Sequence, residues 1–217
     1  MTRGWRASAI VFAVGFLVAG CAWLPFSLPS SLSGPSKRPV PTVRLDRPSQ
    51  PVRIRVPSLG IDLPVLSSDR RIAWAPPGYP ACDVALSWTR FGLPGEPGIT
   101  WVLAHAQEGM FLPLLTVSNA TDGQGLLSRR IDLQLADGRL LTYRVFRVRQ
   151  RAAPSDVRIA SQGRKPKEQR LVLQTSTGPA GTEAKLQVAA RLVSATRTKE
   201  RPPRPQPRPC SRPRTRD

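Results

Sequence analysis

Histidine and cysteine are scarce in this 217-residue chain, and their scarcity excludes several classes of site. The single histidine, His105, excludes a metal centre built from several histidines. Three cysteines, at positions 21, 82 and 210, are too few and too scattered for a disulfide framework or a paired-cysteine zinc site. Collagen repeats and heptads are lacking, and only one long apolar run is present, so collagen, coiled coils and polytopic membrane proteins are excluded. The sequence calls for no metal and no cofactor.

Acidic residues are also few. Asp and Glu number 14 against 33 Lys and Arg, which gives a formal net charge of +19. The 24 prolines are concentrated toward the two ends of the chain. A chain of this length with proline-rich ends is expected to hold one ordinary domain plus extensions.

Residues 1–20 have the pattern of a signal peptide or a membrane anchor. Two arginines precede an apolar run that ends at Gly20, which is short for a membrane span and right for the apolar core of a signal peptide. Residues 17–21 resemble the lipobox of bacterial lipoproteins, in which the cysteine is acylated, so Cys21 is the candidate lipidation site. A tilted single-pass helix that ends at Pro25 is the alternative. Both arrangements predict a protein held at the extracytoplasmic face of the cell membrane.

Two flanking segments lack the apolar periodicity of a folded core. Residues 21–50 intersperse proline with serine, lysine and arginine, which predicts an extended linker. Residues 197–217 alternate proline with arginine, and eight basic against two acidic residues give a charge of +6. This segment is predicted to be a disordered basic tail in which Cys210 has no role. Such a tail would attract an anionic surface polymer or lipid, with no partner at all as the alternative.

Residues 51–196 are predicted to form one all-β domain. Apolar and polar residues alternate in 131–135 and in 140–149, on both sides of the dipeptide Asp137-Gly138, and this pattern indicates a β-hairpin. Many short strands with little helix favour a closed barrel or a sandwich. Further strands are predicted at 52–56, 61–66, 100–104, 170–175 and 185–193, and one short helix at about 109–115.

Three segments in the first half of this domain resemble sortase motifs in order and spacing. Residues 52–65 are similar to the opening strand pair of that family. Residues 94–98 followed by 102–105 resemble the segment P-G-x-x-G…G-H, with Ala104 in place of the glycine that directly precedes the histidine. Residues 111–115 fit the F-x-x-L turn that follows. The resemblance, nearest to the class E and F members, implies a closed β-barrel with one or two short helices.

The second half carries the motif that departs from the family pattern. Residues 173–176 resemble the strand end T-L-x-T-C, but Ser176 stands where sortases have the nucleophilic cysteine. Lys185 falls nearest the position of the family arginine. Sortases are membrane-anchored transpeptidases that cleave a peptide sorting signal through a thioester and pass the acyl group to an amine. The resemblance therefore implies His105 as acid and base, Ser176 as nucleophile and Lys185 as oxyanion donor.

The changes at positions 176 and 185 leave two interpretations, which differ in whether the protein is an active enzyme. In the first, catalysis is lost and the protein is a peptide-binding or assembly module at the cell surface. In the second, it is a serine-variant transpeptidase or hydrolase that cleaves a sorting-signal peptide. Cys82 is an alternative thiol, well before the family position. A weaker interpretation is a cationic surface protein that binds anionic polymers through its tail; no specific recognition of nucleic acid is expected.

Overall fold

The computed structural model describes residues 47–67, 81–96, 98–153, 156–164, 168–178 and 184–210. The predicted signal peptide or anchor, Cys21 and most of the predicted linker lie outside these residues. Within the described ranges, no helix is long and apolar enough to span a bilayer.

In the part of the chain that the structure describes, eight strands form a closed barrel, which confirms the predicted fold class. Around the barrel the strands run in the order β1-β2-β3-β4-β7-β8-β6-β5, and β5 pairs with β1 to close it. The pairs β2–β3 and β4–β7 are parallel, and all other pairs are antiparallel. The strands are β1 Pro51–Val56, β2 Ile61–Ser67, β3 Ala85–Ser87, β4 Gly98–Leu103, β5 Arg130–Leu135, β6 Arg139–Ala152, β7 Gln169–Ser176 and β8 Lys185–Arg197.

Short helices lie in the connections between the strands. Among the described residues, the α-helices are α1, Leu112–Ala120, and α2, Arg158–Ser161; single 3-10 turns span Pro57–Leu59, Thr89–Phe91 and Gln124–Leu126. Helix α1 begins three residues later than predicted, because Pro113 has no N–H and fits only the first turn of a helix. The residues before it instead form a turn, in which the N–H of Met110 donates to the carbonyl of Gln107 at 3.0 Å.

The predicted hairpin is present as β5 and β6. Its turn is closed by the N–H of Gly138, which donates to the carbonyl of Leu135 at 3.0 Å. Gly138 has φ of 81°, a conformation that a residue with a side chain rarely adopts. The turn therefore depends on the glycine that the sequence pattern identified.

Strand β7 is buried on both faces, and three consecutive apolar residues, 171–173, lie at its centre. Leu171 and Leu173 belong to the cluster that fills the barrel, whereas Val172 packs outside it with Trp101 of β4 and Ile159 of α2. Alternate residues of a strand point to opposite faces, so α2 covers one face while the barrel interior covers the other. The strand that ends at Ser176 is thus held between two apolar layers.

Residues 198–210, which we call the strap, lie against the barrel, so the prediction of a wholly disordered tail is wrong for this part. The N–H of Thr198 donates to the carbonyl of Gly138 at 2.9 Å. The Glu200 carboxylate lies 2.7 Å from Arg53 and 2.9 Å from Arg55, both on β1. Composition alone missed this arrangement because every partner lies far away in the sequence.

A disulfide between Cys82 and Cys210 fixes the far end of the strap. The two Cα atoms are 5.1 Å apart, and 128 positions separate the residues. Beside the disulfide, the N–H of Cys82 donates to the carbonyl of Arg208 at 3.0 Å, and the Arg208 guanidinium pairs with Asp83. The expectation that Cys210 has no role is therefore wrong, and the Cys82 sulfur is bonded rather than available as a nucleophile.

Candidate active site

His105 and Ser176 are brought to one edge of the barrel by the parallel pairing of β4 and β7. Leu103 is paired with Gln174, and each site residue lies two positions further along its own segment. The N–H of Ala104 extends the pairing by donating to the carbonyl of Gln174 at 3.2 Å. Parallel neighbours end at the same edge of a sheet, so the backbones of His105 and Ser176 are adjacent there. We call this the site edge.

Lys185 joins the site edge as the first residue of β8. It is paired directly with Ser176 in the antiparallel β7–β8 ladder. Its Nζ atom lies 3.3 Å from Ser176 Oγ, and the residue is only 6% exposed. Thr177 Oγ1 donates to the carbonyl of Ala184 at 3.0 Å and holds the two strands together just beyond this pair. The lysine therefore contacts the candidate nucleophile itself.

The segment that carries His105 is anchored in the barrel core. The N–H of Phe111 donates to the His105 carbonyl at 3.0 Å, and the Phe111 ring is fully buried. Leu114 and Leu115 of α1 are buried in the same cluster. The F-x-x-L resemblance thus corresponds to an apolar turn that fixes the backbone of a half-buried histidine.

A pair of glutamines beside the site was not singled out from the sequence. Gln174 and Gln187 are paired across β7 and β8, two positions before Ser176 and two after Lys185. Gln187 Nε2 lies 2.9 Å from Gln174 Oε1 and 2.8 Å from the carbonyl of Asp156. Residues two apart on a strand share a face. The glutamine pair and the Ser176–Lys185 pair therefore form two successive polar contacts on one face. The polar residues that recur in both strands were the sequence signal that could have identified the glutamine pair.

The carboxylate of Asp156 is engaged by arginines. It lies 2.7 Å from Arg158 and 2.5 Å from Arg149. Hydrogen bonds from the Arg158 side chain and backbone hold the pKa of Asp156 well below its ordinary range, with a smaller contribution from Arg149. Asp156 thus stays ionised and supports Gln187 through its backbone carbonyl rather than through its carboxylate.

The disulfide lies at the same edge as these residues. Leu86 of β3 is paired with Leu103 of β4 in antiparallel fashion, so the segment before β3 lies beside the segment after β4. Accordingly, Cys82 Sγ is 2.8 Å from Gln107 Oε1, two residues beyond His105. The strap thus begins at the hairpin turn on the opposite edge and ends at the site edge.

A sortase domain model matches residues 54–196, most of the chain. The chain belongs to the sortase family. Its barrel is similar to the SrtA sortase of Actinomyces oris, with a TM-score of 0.52 and 14% identity over 72% of this chain and 87% of that one. It is also similar to sortase A of Listeria monocytogenes, with a TM-score of 0.52 and 17% identity over 71% of this chain and 93% of that one. No curated protein sequence matches the chain.

Family membership describes a transpeptidase-type protein of the cell surface with a peptide partner. The sortase barrel explains why His105, Ser176 and Lys185 converge at one edge although 80 positions separate the first from the last. In this chain, the hydroxyl of Ser176 lies 3.3 Å from the amine of Lys185 at that edge.

Proposed function

We propose that this chain is a cell-surface member of the sortase family that binds a sorting-signal-like peptide at the site edge without forming an acyl-enzyme. The observation that supports the proposal is that the strand ends carrying His105, Ser176 and Lys185 meet at one edge of the barrel, with a hydroxyl at position 176. In this proposal the edge still binds a peptide, and Ser176 takes the place of the thiol that performs covalent chemistry in the family.

The replacement of a thiol by a hydroxyl alters the chemistry more than the shape. An ordinary cysteine thiol has a pKa of about 8.5 and reacts as its thiolate, whereas a serine hydroxyl must lose its proton to a base during attack. An ammonium group has three donors and no acceptor. In that form Lys185 donates to Ser176 Oγ and cannot take its proton, so the 3.3 Å contact orients the hydroxyl without activating it.

The same contact favours a second candidate function, serine–lysine acyl transfer. A neutral Lys185 amine would accept the Ser176 proton while Oγ attacks the peptide carbonyl carbon, as in serine–lysine variants of the catalytic triad. The departing amine would take up that proton from Lys185 or His105, and water or a second amine would then resolve the ester. The contact between the two side chains is shielded from solvent, since Lys185 is only 6% exposed.

Attachment to the membrane through residues 1–21 is a separate part of the proposal. It rests on the apolar run and on the lipobox-like sequence that ends in Cys21. A Cys21→Ala variant expressed in a lipidating bacterium is expected to lose both its acyl mass and its membrane fractionation. Retention at the membrane without the acyl mass would instead support the single-pass helix.

The two functions are separated by mass spectrometry of the full chain mixed with sorting-signal-like peptides. The binding function predicts that wild type and Ser176→Ala bind peptide to the same extent and that an acyl adduct forms only in Ser176→Cys. An adduct or cleaved peptide in wild type that disappears in Ser176→Ala and in Lys185→Met would establish acyl transfer instead. If no variant binds or cleaves any peptide, both functions are refuted for these peptides.

A further inference from the structure

Four arginines form a continuous row across four neighbouring strands of the barrel wall. Arg130 of β5 is paired with Arg144 of β6, Arg144 with Arg191 of β8, and Arg191 with Arg170 of β7. Neighbouring strands are about 4.8 Å apart, so these four positions, which we call the arginine row, follow one line across the wall. Like charges directly opposite one another destabilise a sheet. The row therefore works against folding unless something else neutralises it.

The two ends of the row are neutralised within the chain. Arg130 Nε lies 2.8 Å from a carboxylate oxygen of Asp132. Arg170 lies 3.0 Å from Glu168, and it also donates to the carbonyls of two residues near α2. These two arginines have local partners and need no ligand.

The two central arginines have no such partner. Arg144 donates to the carbonyl of Ser128 at 2.8 Å, and the Arg191 guanidinium lies 5.0 Å from the centre of the Phe146 ring. Among the described residues, no carboxylate pairs with either arginine. Both are exposed. Two positive charges thus face each other across β6 and β8 without a counter-charge.

The wall formed by β1 and β2 is different. There Arg53 lies 2.5 Å from Asp62 and 2.7 Å from Glu200, and Arg55 lies 2.9 Å from Glu200. This wall is covered by the strap and its arginines are matched by carboxylates. In contrast to Arg53 and Arg55, the two central arginines of the arginine row have no carboxylate partner among the described residues.

The open arginines line a groove. Two open cavities of about 430 and 340 Å³ adjoin along this wall and share Leu127, Ser128 and Arg144. The first also contacts Arg129 and Arg130, and the second Phe146 and Arg191. A groove with charged residues along its length fits a linear molecule better than a flat membrane.

We propose that Arg144 and Arg191, the two central members of the arginine row, and this groove bind a linear polymer of phosphodiesters with a polyol backbone. A guanidinium pairs two donors with phosphate oxygens, and adjacent guanidiniums can share one phosphate group. The exposed side chain of Leu127 provides an apolar contact for the carbon backbone between phosphates. The Phe146 ring is already in contact with Arg170 at 4.9 Å and Arg191 at 5.0 Å, so a nucleobase would have to compete with these guanidiniums to stack on it.

This site replaces the basic tail as the expected contact for an anionic polymer. Within the tail, Arg208 is paired with Asp83, next to the Cys82–Cys210 disulfide. Exposed arginines such as Arg201 and Arg204 remain, and they provide a matched control because they carry the same charge outside the groove.

Binding of the full chain to a synthetic glycerol-phosphate oligomer tests the proposal. The double variant Arg144→Gln/Arg191→Gln is compared with Arg201→Gln/Arg204→Gln, since each loses two positive charges. We expect the groove variant to bind about tenfold more weakly, with the salt-dependence slope smaller by between about 1 and 2, and the tail variant to change little. Because the groove variant loses a like-charge pair, its melting temperature without polymer should equal or exceed that of wild type.

Three results would overturn the proposal. Equal losses in the two double variants would mean that net charge alone attracts the polymer. Binding by the groove variant as strong as that of wild type would mean that the row is not the site. The groove would be assigned to a different partner if the protein bound an oligothymidylate of matched length, or anionic phospholipid vesicles, more tightly than the glycerol-phosphate oligomer.

Discussion

Replacement of Cys210 by serine is expected to destabilise the domain about as much as truncation of a large side chain in its core. The Cys82–Cys210 bond closes a ring of 128 positions that contains strands β3 to β8. In the unfolded chain, such a ring removes conformational entropy worth about 5 kcal/mol near room temperature. Small domains are stable by only about 5 to 15 kcal/mol, so this contribution is a large share of the total.

The loss should be measured by urea unfolding of oxidised wild type and of Cys210→Ser. The ion pairs of Glu200 and Arg208 persist in the variant, so the difference reports mainly on the closed ring. We expect a loss of between about 3 and 5 kcal/mol, together with a steeper dependence on urea, because an unfolded chain without the ring exposes more surface. Cys21→Ser is the matched control, since it removes a cysteine outside the ring. A loss of under about 1 kcal/mol, with the bond confirmed in wild type, would refute the reasoning.

Three further predictions concern single contacts. Hydrogen bonds from Arg53 hold the pKa of Asp62 below its ordinary range, so this contact stabilises the fold above the ordinary pKa and is lost as the pH falls toward the folded-state value. Urea midpoints measured from about pH 6 to about pH 3 should therefore fall less steeply for Arg53→Met than for wild type. An equal fall in the two proteins would contradict this. Gly138→Ala should cost about 1 kcal/mol in urea unfolding, because its φ of 81° suits glycine, and an unchanged midpoint would contradict the left-handed turn. Gln187→Leu should cost between about 1 and 3 kcal/mol, because it leaves the buried amide of Gln174 without its partner, and a neutral effect would show that this pair is dispensable.

Features set by neighbouring residues could be predicted from the sequence. The hairpin at Asp137-Gly138 is an example, because two adjacent residues determine the turn and alternation on each side determines the strands. Strand β3, by contrast, was not predicted, since three residues are too few to display a period. The helix was placed three residues too early, because the apolar pattern extended into the turn that precedes Leu112.

Features set by register could not be predicted. The order of motifs identified His105, Ser176 and Lys185, but only the pairing of β7 with β8 places Lys185 Nζ 3.3 Å from Ser176 Oγ. The arginine row depends on the register of four strands at once, which no local pattern contains. Cys82 and Cys210 lie in segments that separately favour turn and disorder, so their pairing is visible only when the strap is traced across the barrel.

The disulfide at the end of the strap also sets an order of events during biosynthesis. Cys82 leaves the ribosome early, and its native partner is made 128 positions later, after every strand of the barrel. During that interval Cys21 is the only other thiol in the chain. Export to an oxidising compartment would permit a bond between Cys21 and Cys82 before synthesis is complete. Acylation of Cys21 would remove this competing thiol, so lipid attachment would favour correct pairing of Cys82 with Cys210.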